Sequence, residues 1–112
     1  MRDELSILRF LGLAARAGKV VSGFDQVTAS IENNDARLLL ISSDISRNTL
    51  SKLLDTGSKE GIRMPCAYSF STKYELGRAI GKPDRTLVAV TDDGFAQKLS
   101  GMLEEEYEED NH

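Results

Sequence analysis

The apolar run Leu38–Ile41 constrains the fold of this chain more than any other feature of the sequence. A short, continuously apolar run flanked by Ser-Ser-Asp is typical of a strand that is covered on both faces, because a half-exposed strand alternates apolar and polar residues. Such a strand needs a packed layer on each side. The run is also far too short to cross a membrane.

Helical patterns alternate with this strand and with two others. The further strands are predicted at Cys66–Phe70, after Pro65, and at Thr86–Val90. Helices are predicted from Asp3 to Gly18, from Gly23 to Asn33, from Ser46 to Gly57, from Thr72 to Gly81, and from Asp92 or Asp93 to Leu103. This order predicts an α/β fold, a three-layer α-β-α sandwich in which a small mixed sheet has helices on both faces.

Charge is distributed unevenly along the chain. The net charge is −4, but residues 1–103 hold all 14 Lys and Arg against 12 acidic residues, which is a net charge of +2. We therefore expect one mildly basic domain over residues 1–103. An acidic run of this kind is usually solvated, so residues 104–112 are expected to form a flexible acidic tail.

Catalytic and metal-binding patterns are missing from the sequence. The one histidine is the terminal His112, and the one cysteine, Cys66, lies in an apolar run and is expected to be buried. No Ser-His-Asp set, metal-ligand spacing or phosphate-binding loop is present, so we expect no catalysis, no metal and no cofactor. The single cysteine and the absence of a signal-peptide pattern favour a cytoplasmic protein.

The segment Leu11–Val27 contains the first candidate binding site. An apolar helix is expected to end at Gly18, and Gly23 is expected to begin the next helix, with Ser22 as its cap. The N–H groups of that helix start would face outward as an anion site, and Lys19 lies a few residues away. The segment therefore predicts a phosphate-facing platform.

Further basic residues follow from the expected topology. In an open α/β sheet, the turns at the strand ends tend to gather along one edge. That edge is expected to hold the helix starts at Ser22-Gly23 and Ser46-Arg47 and the turn Gly81–Arg85. It would present four cations, namely Lys19, Arg47, Lys82 and Arg85. On charge alone, the alternative is a set of scattered, solvated side chains.

Three ordered segments resemble the ribosomal kink-turn RNA-binding superfamily of the L7Ae/L30e type, and within it the bacterial YlxQ-like branch. The segments are Leu11–Gly23, Leu38–Asn48, and Glu75–Lys82 with its continuation through Val88–Asp92 to Gly94–Ala96. The resemblance spans nearly all of residues 5–103. It implies an α-β-α sandwich that binds a sharply bent internal loop of an RNA stem, with neither cofactor nor catalysis.

The resemblance also implies where RNA would bind. The family pattern Gly-x-Asn-Glu-x-x-Lys at the start of the second helix corresponds here to Gly23, Asp25, Gln26 and Ala29, and a second contact corresponds to residues 82–85. Asp25 replaces an amide with a carboxylate that phosphate would repel, while Gln26 keeps the ability to pair with a base edge. Ala29 replaces a lysine, which removes a phosphate contact.

The sequence therefore predicts non-catalytic binding of structured RNA by Lys19, Ser22, Gly23, Asp25, Gln26, Arg47, Lys82 and Arg85. The expected partner is ribosomal or other structured RNA, with ribosomal or RNA-processing proteins as further candidates and no membrane. The alternative is a protein-interaction module that keeps the scaffold and has lost kink-turn recognition. The sequence leaves the oligomeric state open.

Overall fold

The computed structural model describes residues 3–110, with side chains as far as residue 105. Within this part of the chain, helices and strands alternate strictly along the sequence. The elements are α1 (Glu4–Arg16), β1 (Val20–Ser22), α2 (Phe24–Glu32), β2 (Leu38–Ile41), α3 (Arg47–Gly57), β3 (Cys66–Ser69), α4 (Lys73–Ala79), β4 (Leu87–Val90) and α5 (Asp93–Asp110).

The strands form one mixed sheet in the order β1-β4-β2-β3. Strand β4 is antiparallel to both of its neighbours, pairing Val88 with Ser22 of β1 and with Leu40 of β2, whereas β2 and β3 are parallel. The three-strand prediction was incomplete, because residues 20–22 add an edge strand. That segment is too short to show a strand pattern, and pairing with β4 supplies its hydrogen bonds.

Hydrophobic cores lie on both faces of the sheet. Leu38 and Leu40 of β2 point to one face and pack with α1, α4 and α5, while Leu39 points to the other and packs with α2 and α3. Successive strand residues alternate between faces, so a strand buried on both sides must be apolar at every position. The predicted three-layer α-β-α sandwich is confirmed.

Capping side chains explain where most of the helices begin. Asp3, Ser46 and Thr72 accept hydrogen bonds from the N–H groups three residues onward, and Asp92 does the same for α5. Each bond satisfies one N–H that has no partner inside the helix. The predicted cap Ser22 was wrong: the cap position of α2 is Gly23, and Ser22 lies in β1.

The expected burial of Cys66 was wrong, and the structure also shows how far the last helix extends. Cys66 is exposed, because the edge strand β3 leaves it at the rim of the sheet. Residues 104–110 continue α5 as helix, so the expected boundary at residue 103 falls inside an element. Residues 111–112 of the predicted tail lie outside the described residues. Within residues 3–110, no helix has the length and apolar character needed to cross a membrane.

Candidate functional site

One edge of the sheet collects most of the residues selected from the sequence. Because β1 is antiparallel to β4 and β2 is antiparallel to β4, the carboxyl ends of β1 and β2 meet the amino end of β4. The parallel strand β3 ends there as well. The starts of α2, α3 and α4 and the turn of residues 81–86 therefore lie along this edge, which we call the site edge.

Helix α2 begins at the site edge without a side-chain cap. Gly23 has φ 88° and ψ 157°, a conformation that is essentially restricted to glycine, and its N–H donates to the Leu87 carbonyl at 3.0 Å. Among the described residues, and apart from the two chain neighbours of Gly23, no atom lies within 4 Å of the position that a Cβ on Gly23 would take. The first N–H groups of α2 therefore face an open space that a ligand backbone can approach closely.

Arg85 connects the turn of residues 81–86 to the end of β1. Its Nε donates to Ser22 Oγ at 3.0 Å, and its Nη1 donates to the Asp84 carbonyl at 3.0 Å. The side chain is half-buried, so these bonds hold the guanidinium in one place beside the start of α2. The hydrogen bond between Arg85 and Ser22 thus joins the turn to the residue that precedes Gly23. On the first turn of α2, the side chains of Asp25 and Gln26 are exposed.

The turn of residues 81–86 is held against α4. Lys82 N–H donates to the Gly77 carbonyl at 2.8 Å, and Arg85 N–H donates to the Lys73 carbonyl at 2.9 Å. A Cβ on Gly77 would overlap the Pro83 carbonyl, so this close approach requires glycine. The exposed Lys82 side chain is therefore presented from a turn whose backbone is fixed.

The starts of α3 and α4 complete the site edge. Arg47 is exposed at the first position of α3. Asp44 accepts a hydrogen bond from Lys73 N–H at 3.0 Å, which ties the two helix starts together. Partial desolvation acts to raise the pKa of Asp44, but hydrogen bonding, including the bond from Lys73, outweighs it and lowers this pKa below its usual value.

One buried hydroxyl group at the same place, Ser71 Oγ after the end of β3, has no hydrogen-bond partner among the described residues. Ser71 also has φ 62°, an unusual conformation for a residue with a side chain. The part of the site edge between α3 and α4 is therefore polar and contains a hydroxyl group whose hydrogen-bonding capacity is not satisfied within the described residues.

Lys19 does not belong to the site edge. Its carbonyl accepts from Thr91 N–H beyond the carboxyl end of β4, and the next residue, Val20, pairs with Val90. Three residues of extended chain separate Lys19 from Ser22, which corresponds to about 10 Å. The expected group of four cations is therefore reduced to Arg47, Lys82 and Arg85, because β1 carries the chain across the whole sheet.

Sequence reasoning did not select Lys73, which is exposed at the first position of α4 on the site edge. The predicted cap Thr72 could have indicated Lys73, since the residue after a cap is the first residue of the helix. Within the described residues, no group of three or more His, Cys, Asp or Glu side chains is placed to hold a metal ion. The site edge offers N–H groups, cations and hydroxyls, which are suited to an anionic ligand.

Comparison with known proteins identifies a family whose model matches most of the chain. The model of the ribosomal protein L7Ae/L30e/S12e/Gadd45 family matches residues 6–100. The chain is similar to the RNA-binding protein YlxQ of Bacillus subtilis (strain 168), with 46% identity over 94 residues that cover 84% of this chain and 91% of the relative. It is 36% identical to the RNA-binding protein YlxQ of Enterococcus faecium over 97 residues, covering 87% and 90%.

A solved structure supports the same architecture. A protein with unknown function from Bacillus halodurans C superposes with a TM-score of 0.76 at 36% sequence identity. The match covers 88% of this chain and 96% of that one. The fold described above is therefore shared with a solved structure.

Proposed function

Because this chain belongs to the ribosomal protein L7Ae/L30e/S12e/Gadd45 family, in its YlxQ-like branch, we propose that it binds structured RNA and catalyses no reaction. The ligand we propose is a sharply bent internal loop, of the kink-turn type or closely related to it. We place this RNA in the ribosome or in its precursors, and the protein in the cytoplasm. Two relatives whose names describe them as RNA-binding proteins support the proposal.

The uncapped start of α2 beside Arg85 is the observation that most supports this function. The N–H groups at residues 24–26 favour a phosphate, and Gly23 lets the RNA backbone approach without meeting a side chain. Arg85, held by Ser22, would place a planar guanidinium against a phosphate or an unstacked base. Lys82, Arg47 and Lys73 would neutralise phosphates on either side.

Two side chains on the first turn of α2 change the hydrogen-bonding capacity and the charge of this interface. Gln26 is exposed and can hydrogen-bond a base edge through its amide. Asp25 is also exposed and adds a negative charge where a phosphate would approach. Ala29, one turn further along, offers no cation. We therefore propose that this interface relies more on Gly23 and Arg85 than on the first-turn side chains.

The test is a binding titration of the full chain with two RNAs that share their stems. One RNA contains a kink-turn internal loop, and the other joins the same stems as a continuous duplex. We expect tighter binding to the kinked RNA and weaker binding to both at about 0.2 M salt than at about 0.05 M, because counterions are released from the phosphates. Equal affinity for the two RNAs would contradict recognition of a bend.

Arg85→Ala supplies a variant that tests the interface directly, and Lys98→Ala is its matched control. Lys98 is exposed on α5, away from the site edge. We expect Arg85→Ala to weaken RNA binding and to lower the slope of log affinity against log salt by about one. Lys98→Ala should change neither. If no RNA binds at either salt concentration, the alternative of a protein-interaction module on this scaffold is favoured instead.

A further inference from the structure

A groove lies between α1 and α4, on the face of the sheet opposite to α2 and α3. It has a volume of about 440 Å³ and runs beside Gly12 and Ala79, where the two helices come close together. Leu5 and Leu13 line it and remain 53% and 49% exposed. Large exposed apolar side chains concentrated in one groove indicate a contact surface rather than ordinary solvated surface.

The same groove is strongly basic. Three arginines line it, against the single carboxylate of Glu75; they are Arg9, Arg16 and Arg78. All three arginines are exposed, and Arg78 Nη1 donates to Tyr74 OH at 3.3 Å. Phosphates would pair with the arginines and leave the leucines in water. An acidic helix with an apolar residue would satisfy both kinds of side chain, so the groove fits such a helix better than it fits RNA.

This chain itself contains an acidic helix end. Residues 104–110 read EEEYEED, with six acidic residues and one aromatic residue, and they continue α5 as helix. Leu103 is the last buried residue among the described side chains, and Glu104 and Glu105, which follow it, are exposed. Like charges at three- and four-residue spacing destabilise a helix end, and a row of arginines would remove that repulsion.

We propose that the α1–α4 groove of one copy binds the acidic end of helix α5 of a second copy. The helix would have to break for the segment to turn back onto its own molecule, whereas a second copy supplies it intact. Each copy has one groove and one acidic end, so a two-fold dimer can satisfy both pairs at once. This inference goes beyond RNA binding and does not depend on it.

Sedimentation velocity of the full chain over a range of concentrations tests the association. At low ionic strength we expect a dimer whose fraction rises with concentration. At about 0.5 M salt the dimer should dissociate, because the Debye length is then shorter than the separation of most charge pairs. A monomer at every concentration and salt would overturn the proposal.

Two charge-reversal variants test which surfaces meet. The groove variant combines Arg9→Glu with Arg78→Glu, and the tail variant changes four acids to lysine, namely Glu106, Glu108, Glu109 and Asp110. Each variant alone should dimerise at least about tenfold more weakly, because the groove and the tail would then carry net charges of the same sign. An equimolar mixture of the two should associate again, since the reversed groove now attracts the reversed tail.

The matched control combines Lys52→Glu with Lys98→Glu, which changes the total charge by the same amount as the groove variant on other exposed surfaces. It should dimerise as the unaltered chain does. Leu13→Ser should weaken the dimer without changing its salt dependence, because it removes apolar contact alone. Circular dichroism confirms that each variant is folded. The proposal would be overturned if the mixture of the groove and tail variants did not associate. It would also be overturned if the control variant dimerised as weakly as the groove variant.

Discussion

Gly23 ends β1 and begins α2 with a backbone conformation, φ 88° and ψ 157°, that a residue with a Cβ rarely adopts. No packing forbids a larger residue there, since the space around it is open. The requirement for glycine is therefore conformational. At the scale of single residues, the candidate site depends on this backbone geometry and on the bond between Ser22 and Arg85.

Gly23→Ala should lower the free energy of unfolding by roughly 1–3 kcal/mol and should also weaken RNA binding. Gly61→Ala is the control, because Gly61 has φ 81°, is equally open, and lies between α3 and β3 away from the site edge. Urea denaturation should show a similar loss for both variants. Only Gly23→Ala should affect the RNA titration, and equal RNA affinities for the two variants would contradict a role for Gly23 in binding.

Tyr68 provides a pH-dependent test of the packing of α5 on β3. Burial raises the pKa of Tyr68 to about 12, and its hydrogen bond to Glu104 at 2.8 Å acts in the same direction against the opposing effect of Ser100. The raised pKa means that the folded state holds its proton more tightly than the unfolded state. The resulting stability is complete below about pH 10 and is lost as the pH rises toward 12.

The measurement is the phenolate absorbance of the unaltered chain minus that of Tyr68→Phe during an alkaline titration. The difference should have its midpoint near pH 12. The variant should also lose less stability over this pH range, because the group that titrates has been removed. A midpoint near the ordinary tyrosine value of about 10 would contradict the packing described here.

At the scale of elements, the position of the turn of residues 81–86 is set by α4. Gly77 lets the Pro83 carbonyl approach the helix, and Lys82 and Arg85 donate backbone hydrogen bonds to α4 residues. The turn is thus an extension of the helix surface rather than an independent loop. A change on α4 that faces away from RNA should therefore alter the RNA interface.

Gly77→Ala should displace this turn, because its Cβ would overlap backbone atoms, which cannot move aside as a flexible side chain can. We expect a lower stability and weaker RNA binding, although Gly77 itself is buried. Gly101→Ala is the control: Gly101 is exposed in α5 with open space around it and should gain up to about 1 kcal/mol in stability. An unchanged RNA affinity of the Gly77→Ala variant would show that the turn of residues 81–86 does not contribute to RNA binding.

At the scale of the whole molecule, charge is separated between a domain of net charge +2 and a helix end with six acidic residues. The negative charge of this helix end repels phosphate over distances comparable with the Debye length. The net charge of −4 for the full chain therefore conceals the positive net charge of residues 1–103.

Neutralising the helix end with Glu106→Gln, Glu108→Gln and Glu109→Gln should strengthen RNA binding at low salt. The gain should disappear at about 0.5 M salt, because the repulsion is then screened. Parallel titrations of both chains across salt concentrations measure this effect. A gain in RNA affinity that persists at high salt would indicate a direct contact of the helix end instead of a long-range repulsion. An unchanged RNA affinity at low salt would exclude both the contact and the repulsion.

The sequence by itself determined the order of the helices, three of the four strands and most helix starts. These features depend on short-range physics: Leu38–Ile41 is apolar at every position, and Asp3, Ser46 and Thr72 cap the turns that directly follow them. Gly23 and Arg85 were also selected from the sequence as candidate site residues, but the hydrogen bond that fixes Arg85 was not predicted.

Only the tertiary structure decided how the site is assembled. Strand β1 gains its hydrogen bonds from β4, and Ser22 meets Arg85 across 63 residues of chain. The same pairing moves Lys19 to the far edge and leaves α2 without a side-chain cap. Strand pairing depends on the order of the whole sheet, which local patterns do not encode. The start of a helix at Gly23 was therefore predicted, while its missing side-chain cap and its neighbours were not.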